Sequence, residues 1–285
     1  MEIEKITAKD IEEMDYNQVI GLTRETNRPP GGRKTVFEIA NRLCLDRKDK
    51  VLEIGTSTGF TAIELSKLVK CNITSIDINE MSLKEAKERA VSEGFENINF
   101  KKADVNNLPF KDNEFDIVII GNILSLMSNK EKAFNECKRV CKRSGFIVAV
   151  PMFYLETPSE ELIRNVSKAI QIKIKPLYKK DWEDFFRIPE LEVHFSEDYK
   201  FNYMGNEVVE KFVKNILKRK HFKNLSREAS DILNKKYKDY MFLFRDNLSK
   251  MGFSIFILSN KMIWEDPELY TSEKIRKVQN GKSKI

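Results

Sequence analysis

The stretch Val51 to Phe60, VLEIGTSTGF, and its distant partner SIDI at Ser75 to Ile78 constrain this chain more than any other feature. An apolar pair, Val51-Leu52, meets Glu53, and Gly55 and Gly59 then open a segment of helical period, which predicts strand, tight glycine turn, helix. Glycine supplies permissive dihedrals and lacks a Cβ, so the backbone at such a turn approaches a ligand closely. The N–H groups of the following helix point into the crevice at the carboxyl end of the strand. A second apolar strand ends in Asp77, where a carboxylate accepts hydrogen bonds from both hydroxyls of a ribose. Together the two stretches predict an α/β sheet with a nucleoside site.

Two nucleosides fit that pattern, and the residues between the glycines separate them. A dinucleotide fingerprint needs G-x-G-x-x-G, whereas this chain has G-T-S-T-G with Glu53 ahead of it. A carboxylate there suits a cationic ammonium group, held directly or through water, and is an awkward neighbour for a pyrophosphate. These residues resemble the first motif, [DE]-x-G-x-G-x-G, of class I S-adenosylmethionine-dependent methyltransferases, with Ser57 where the middle glycine usually stands. The run DINEMSLKEAKERA from Asp77 resembles the same segment of the ubiquinone and menaquinone methyltransferase-like, small-molecule group. The resemblance covers Lys48 to Pro151. It implies S-adenosyl-L-methionine as cofactor, bound by Glu53, Gly55, Thr56, Ser57, Gly59, Asp77 and Ile78. It further implies Asp104 and Val105 at the adenine, and Gly121 and Asn122 where the cofactor methionine meets the acceptor. Asp104 taken alone is equally a turn or cap aspartate.

Strand and helix signals alternate from Lys50 to Val150 with connections of a few residues, the pattern of a parallel sheet. The resemblance implies a Rossmann-like seven-stranded sheet, mostly parallel with an antiparallel last strand and helices on both faces. Three further pieces are expected: an N-terminal helical cap segment over 1–46, a helical insertion at 205–250 within a methyltransferase domain of 47–264, and a polar basic tail over 265–285. The insertion packs as a lid or as a homodimer surface. The N-terminal segment, with Tyr16, Arg24, Glu25, Thr26 and Arg28, lies over the ligand mouth or serves only as a packing arm. Tyr16, Arg28, Met152 and Tyr154 are the candidate acceptor-binding residues.

Composition and missing motifs narrow the function. Lys and Arg number 50 against 44 Asp and Glu, giving +6 with no block of five like charges, so no nucleic-acid footprint is required. No apolar run spans a membrane and no signal peptide is evident; the four cysteines of this 285-residue chain form no disulfide framework, and core packing of Cys137 and Cys141 implies a reducing cytoplasm. No metal-ligand cluster is present, Cys137 and Cys141 having no histidine near them in sequence. IGNILS follows the fourth strand in place of [DNS]-P-P-[YFW], and no cysteine follows a proline, which disfavours nucleic-acid bases as acceptors and favours a small molecule. A methyltransferase of RNA or protein and a non-catalytic S-adenosylmethionine-binding protein are the alternatives. No general base is legible: His194 and Tyr154 are the candidates, with a surface or packing role the default for His194 and His221.

Overall fold

The computed structural model describes residues 6–260 apart from Asn27 and Ser128, so the expected tail over 265–285 lies outside the described residues. Two short helices, α1 (Ala8–Glu13) and α2 (Tyr16–Thr23), are each started by a capping box, Thr7 with Asp10 and Asp15 with Gln18. After the Pro29 to Gly32 turn comes α3 (Arg33–Arg42). The alternation that follows is β1 (Lys50–Ile54), α4 (Phe60–Leu68), β2 (Asn72–Asp77), α5 (Glu80–Ser92), β3 (Ile98–Lys102), β4 (Phe115–Gly121), α6 (Lys130–Val140) and β5 (Cys141–Ala149). Successive residues of a strand face opposite sides of the sheet. Leu52, Ile54, Val118 and Ile120 therefore enter one core, and Val51, Ile117 and Ile119 the other. Burial on both faces explains why these strands read as continuous apolar runs.

Beyond β5 the chain forms β6 (Met152–Tyr154), α7 (Glu160–Ile170), α8 (Lys179–Phe185), β7 (Leu191–Lys200), α9 (Asn206–Leu217), α10 (Arg227–Ser249) and β8 (Met251–Asn260). Strands β3, β2, β1, β4 and β5 pair in parallel in that order, and β8 joins β5 antiparallel with β7 on its other side. Among the described residues the sheet has eight strands, not seven. The extra one, β6, arises because Pro151 has no N–H to give a ladder. The chain breaks there and resumes pairing with the first residues of β8, while the Pro151 carbonyl accepts from the Ser254 N–H at 3.1 Å.

The N-terminal helices and the insertion form one layer. Ile11 and Val19 share a third core with Val209, Val213, Leu233 and Tyr237. Polar bonds fasten it further: Lys236 Nζ donates to the Ile11 carbonyl at 3.0 Å, and Arg219 donates to the carbonyls of Thr23 and Arg24.

One ion-pair cluster makes the fold acid-sensitive. Glu64 on α4 is nearly buried and accepts hydrogen bonds from Arg33 of α3 and, at 2.8 Å, from Lys67. Burial alone raises its carboxyl pKa, but the bonds from Arg33 and Lys67 outweigh it and leave the pKa below the ordinary value. A depressed folded pKa contributes stability above the unfolded value, about 4.3, and loses it as pH falls through the folded value. The expected result is that Glu64→Gln melts below the parent at pH 6 and that the gap narrows toward pH 3 in thermal unfolding.

Candidate active site

The glycine turn after β1 and the acidic tip of β2 meet at one rim. Gly55 (φ 75°), Ser57 (φ 48°) and Gly59 (φ 80°) are all left-handed, which curls the turn back on itself. The N–H groups of Gly55 and Thr56 donate to the Ile76 carbonyl at 2.8 and 3.0 Å. The Ser57 N–H donates to Asp77 Oδ2 at 2.8 Å, while Asp77 Oδ1 accepts from the Asn79 N–H at 2.9 Å. The Ala103 N–H in turn donates to the Asp77 carbonyl at 3.1 Å, which brings Asp104 to the same edge. Ile78 is 69% exposed there, an unusual position for an isoleucine beside a carboxylate.

The other side of the rim is built from the ends of β4 and β5. Gly121 (φ 52°) terminates β4, and the Asn122 side chain ties the strand ends together. Asn122 Oδ1 accepts from Ser125 Oγ at 2.7 Å and from the Met152 N–H at 3.2 Å. Ile123 opens a short 3-10 helix, Ile123–Leu126, and covers the turn so closely that a Cβ on Gly55 would stand 3.1 Å from its Cδ1.

A family model described as a methyltransferase domain matches residues 45–189, half of the chain and all of this rim. The chain belongs to that family. An uncharacterized protein of Haemophilus influenzae is 33% identical over 183 residues, covering 63% of this chain and 72% of that protein. The ubiquinone/menaquinone biosynthesis C-methyltransferase of Azotobacter vinelandii is 32% identical over 134 residues, 46% of this chain and 52% of the enzyme, so the chain spans about half its length. Among solved structures, Haemonchus contortus phosphoethanolamine N-methyltransferase 2, in complex with phosphomonomethylethanolamine and S-adenosylhomocysteine, superposes with a TM-score of 0.65. That match has 18% identity and covers 90% of this chain and 58% of that one, a likeness of fold.

Within this methyltransferase domain direct ammonium contact by Glu53 is corrected, and several other expected site residues have structural parts. Glu53 is 4% exposed and turned beneath the glycine turn, where Oε2 accepts from Thr56 Oγ1 at 2.7 Å and from Ser75 Oγ at 2.8 Å. Burial raises its pKa and these hydroxyls oppose the shift. Glu53 therefore braces the turn and does not present a carboxylate for direct contact with an ammonium, and the Thr56 hydroxyl is spent on the same brace. Gly59 is required by packing, since a Cβ there would lie 2.9 Å from Ala86 Cβ on α5. Val105 sends its side chain into the core. Asp104 is a turn aspartate whose Oδ1 accepts from the N–H and side-chain amide of Asn106, with the carboxylate still exposed.

His194 lies away from the rim, and the Tyr154 hydroxyl is taken up by a bond to α10. His194 Nε2 is 2.6 Å from Ser259 Oγ and its ring meets Phe146 edge-on, toward the amino end of β5, whereas the rim is at the carboxyl end. Tyr154 is buried with its hydroxyl donating to Asn247 Oδ1 at 2.7 Å, so it joins β6 to α10. Tyr16 packs against Tyr240 and Phe244 of α10 as part of the cap core. Met152 stays at the rim through Asn122, and Arg28 lies over Phe60, the first residue of α4. Sequence reasoning missed Ile123, because nothing local marks an apolar residue in a short turn as covering the glycine turn.

Ser57 occupies a left-handed position that costs an L-residue about 1–2 kcal/mol, and glycine forfeits about 0.5–1 kcal/mol of backbone entropy. Ser57→Gly is therefore expected to stabilise the fold by about 0.5–1 kcal/mol in urea unfolding, with the N–H to Asp77 retained.

Proposed function

We propose that this protein is an S-adenosylmethionine-dependent methyltransferase of a small-molecule acceptor. The observation that carries the reading is the 2.8 Å bond from the Ser57 N–H to Asp77, which joins the glycine turn and the ribose-binding carboxylate at one edge of the sheet. The residues suit that cofactor. A carboxylate offers about four acceptor positions, and Ser57 and Asn79 take two of Asp77's, leaving one on each oxygen for the two ribose hydroxyls. Exposed Ile78 offers an apolar flank to the adenine, and the exposed Asp104 carboxylate accepts from its amino group. Gly55 and Ser57 admit the amino-acid end beside Ile123, and Gly121, Asn122 and Met152 frame the acceptor side.

When bound, S-adenosylmethionine supplies a methyl group already activated on a sulfonium, so the chain has mainly to align an acceptor in line and exclude water. Asn122 holds the ends of β4 and β6 at a fixed separation through Met152. We assign α9 and α10 to a cap over this rim and not to a dimer contact, because Val209, Val213 and Leu233 bury themselves against the N-terminal helices. No helix among the described residues is long and apolar enough to cross a membrane. Three buried, unpaired cysteines, Cys71, Cys137 and Cys141, support placing the enzyme in a reducing cytoplasm.

Equilibrium titration with S-adenosylmethionine tests the reading, with a nicotinamide dinucleotide as the control. Saturable binding of the first alone is expected, followed by transfer of labelled methyl into one fraction of small metabolites. Absence of saturable S-adenosylmethionine binding would end it.

A further inference from the structure

With Glu53 turned beneath the turn, the amino-acid end of the cofactor has no charged holder in the sheet core. We propose that the strap between α2 and α3 supplies one: the Arg28 guanidinium takes the α-carboxylate of S-adenosylmethionine and the Glu25 carboxylate takes its α-ammonium. The inference rests on the function proposed above and assigns the part of the cofactor site that the core leaves open.

Position comes first. The guanidinium carbon of Arg28 lies 5.5 Å from the centre of the ring of Phe60, the residue that follows Gly59, which sets it beside the start of α4. A cation over an aromatic face is attracted to the ring, which holds the guanidinium near the start of α4. Glu25 precedes Arg28 by three residues, a span of at most about 10 Å.

The strap is pinned at both ends. On one side Arg219 donates to the carbonyls of Thr23 and Arg24. On the other, Thr35 Oγ1 donates to the Pro30 carbonyl, and Gly31 sits so tightly on β8 that a Cβ would come within 2.6 Å of Phe253 Cζ. A segment held this way keeps its two charges in place before a ligand arrives, which lowers the ordering cost of binding.

Both charges also lack partners in contact. Among the described residues Arg28 makes no ion pair within 4 Å, and Glu25 has no cation that close. Glu25 is half-buried, and Oε2 accepts from the hydroxyl of fully buried Tyr237 at 2.6 Å, which fixes the carboxylate without neutralising it. Burial pushes its pKa up, with the Tyr237 bond and the more distant Arg219 and Arg28 acting against the shift. A partly desolvated carboxylate with one neutral donor is an incomplete charge site. An α-amino acid carries one ammonium and one carboxylate on the same carbon, the complement of this strap.

Calorimetric titration of the full chain with S-adenosylhomocysteine and with 5′-deoxy-5′-methylthioadenosine tests the assignment. The second ligand keeps the adenosine and the thioether but has no amino-acid end. Arg28→Met, at an exposed position, is expected to weaken S-adenosylhomocysteine binding about 10- to 100-fold and to leave methylthioadenosine within about twofold, the loss typical of one charge-assisted hydrogen bond. Glu25→Gln is expected to show the same selectivity. Unchanged S-adenosylhomocysteine affinity in Arg28→Met, or an equal loss for both ligands, would overturn the proposal. Failure of the unsubstituted protein to bind either ligand would instead remove the methyltransferase reading beneath it.

Discussion

Asp77→Ala is expected to weaken S-adenosylmethionine binding by at least about 100-fold, because two hydrogen bonds to a charged acceptor are worth about 1.5–3 kcal/mol each. The same substitution removes the acceptor for the N–H groups of Ser57 and Asn79, so part of the loss reaches the fold. Two backbone donors returned to water near the surface cost about 1–2 kcal/mol of stability. Asp77→Asn separates the two effects, since its single carbonyl oxygen keeps one backbone bond without the charge. Its affinity should fall between that of the parent and that of Asp77→Ala. Calorimetry for binding and urea unfolding for stability read the two consequences independently. Retention of parental affinity in Asp77→Ala would place the ribose elsewhere.

The second large effect concerns Gly59, where the expected cost is structural. Gly59→Val puts a β-branched residue at φ 80° and drives its Cβ to 2.9 Å from Ala86 Cβ, with Phe100 Cζ and Ala86 Cα at 3.3 Å. The left-handed conformation costs about 1–2 kcal/mol and overpacking of this kind about 1–3 kcal/mol. A loss of about 2–5 kcal/mol in urea unfolding is therefore expected, with ligand binding lost as α4 is pushed off α5. In the background of Gly59→Ala, adding Ala86→Gly should recover the packing part and leave the backbone part. A loss below about 1 kcal/mol for Gly59→Val would mean that α5 moves freely, contrary to the close contact described.

The chain between Lys48 and Pro151 was largely legible because its signals are local. Apolar runs bounded by turn residues mark β1, β2, β4 and β5, and Asn79 caps α5 through bonds from the N–H groups of Met81 and Ser82. The place of Asp77 at the tip of β2 was recognisable because the apolar run of that strand ends there. The two late helices were legible as periodic apolar faces and the closing strand β8 as a continuous apolar run.

The misplaced residues share a different property. Glu53 stood in a motif position, but the direction of its carboxylate depends on Ser75, a hydroxyl on the neighbouring strand. His194 was one of two histidines, and its distance from the rim follows from the register that sets Phe146 against Ser259. β6 escaped notice because three residues are too short for any periodicity, and it pairs only because β8 returns alongside.

By itself, then, the sequence determined the kind of sheet, the turn that opens it toward a nucleoside and the acidic residue at the tip of β2, since periodicity, glycine dihedrals and strand ends are set by neighbours in the chain. Only the tertiary structure decided that Glu53 is a brace, that the N-terminal helices and the 205–250 helices share one core, that Glu25 meets the Tyr237 hydroxyl and that Arg28 lies over Phe60. Those outcomes depend on which donor, ring or carbonyl a distant segment brings within contact, and a hydrogen bond or a buried charge has no meaning until both partners are in place.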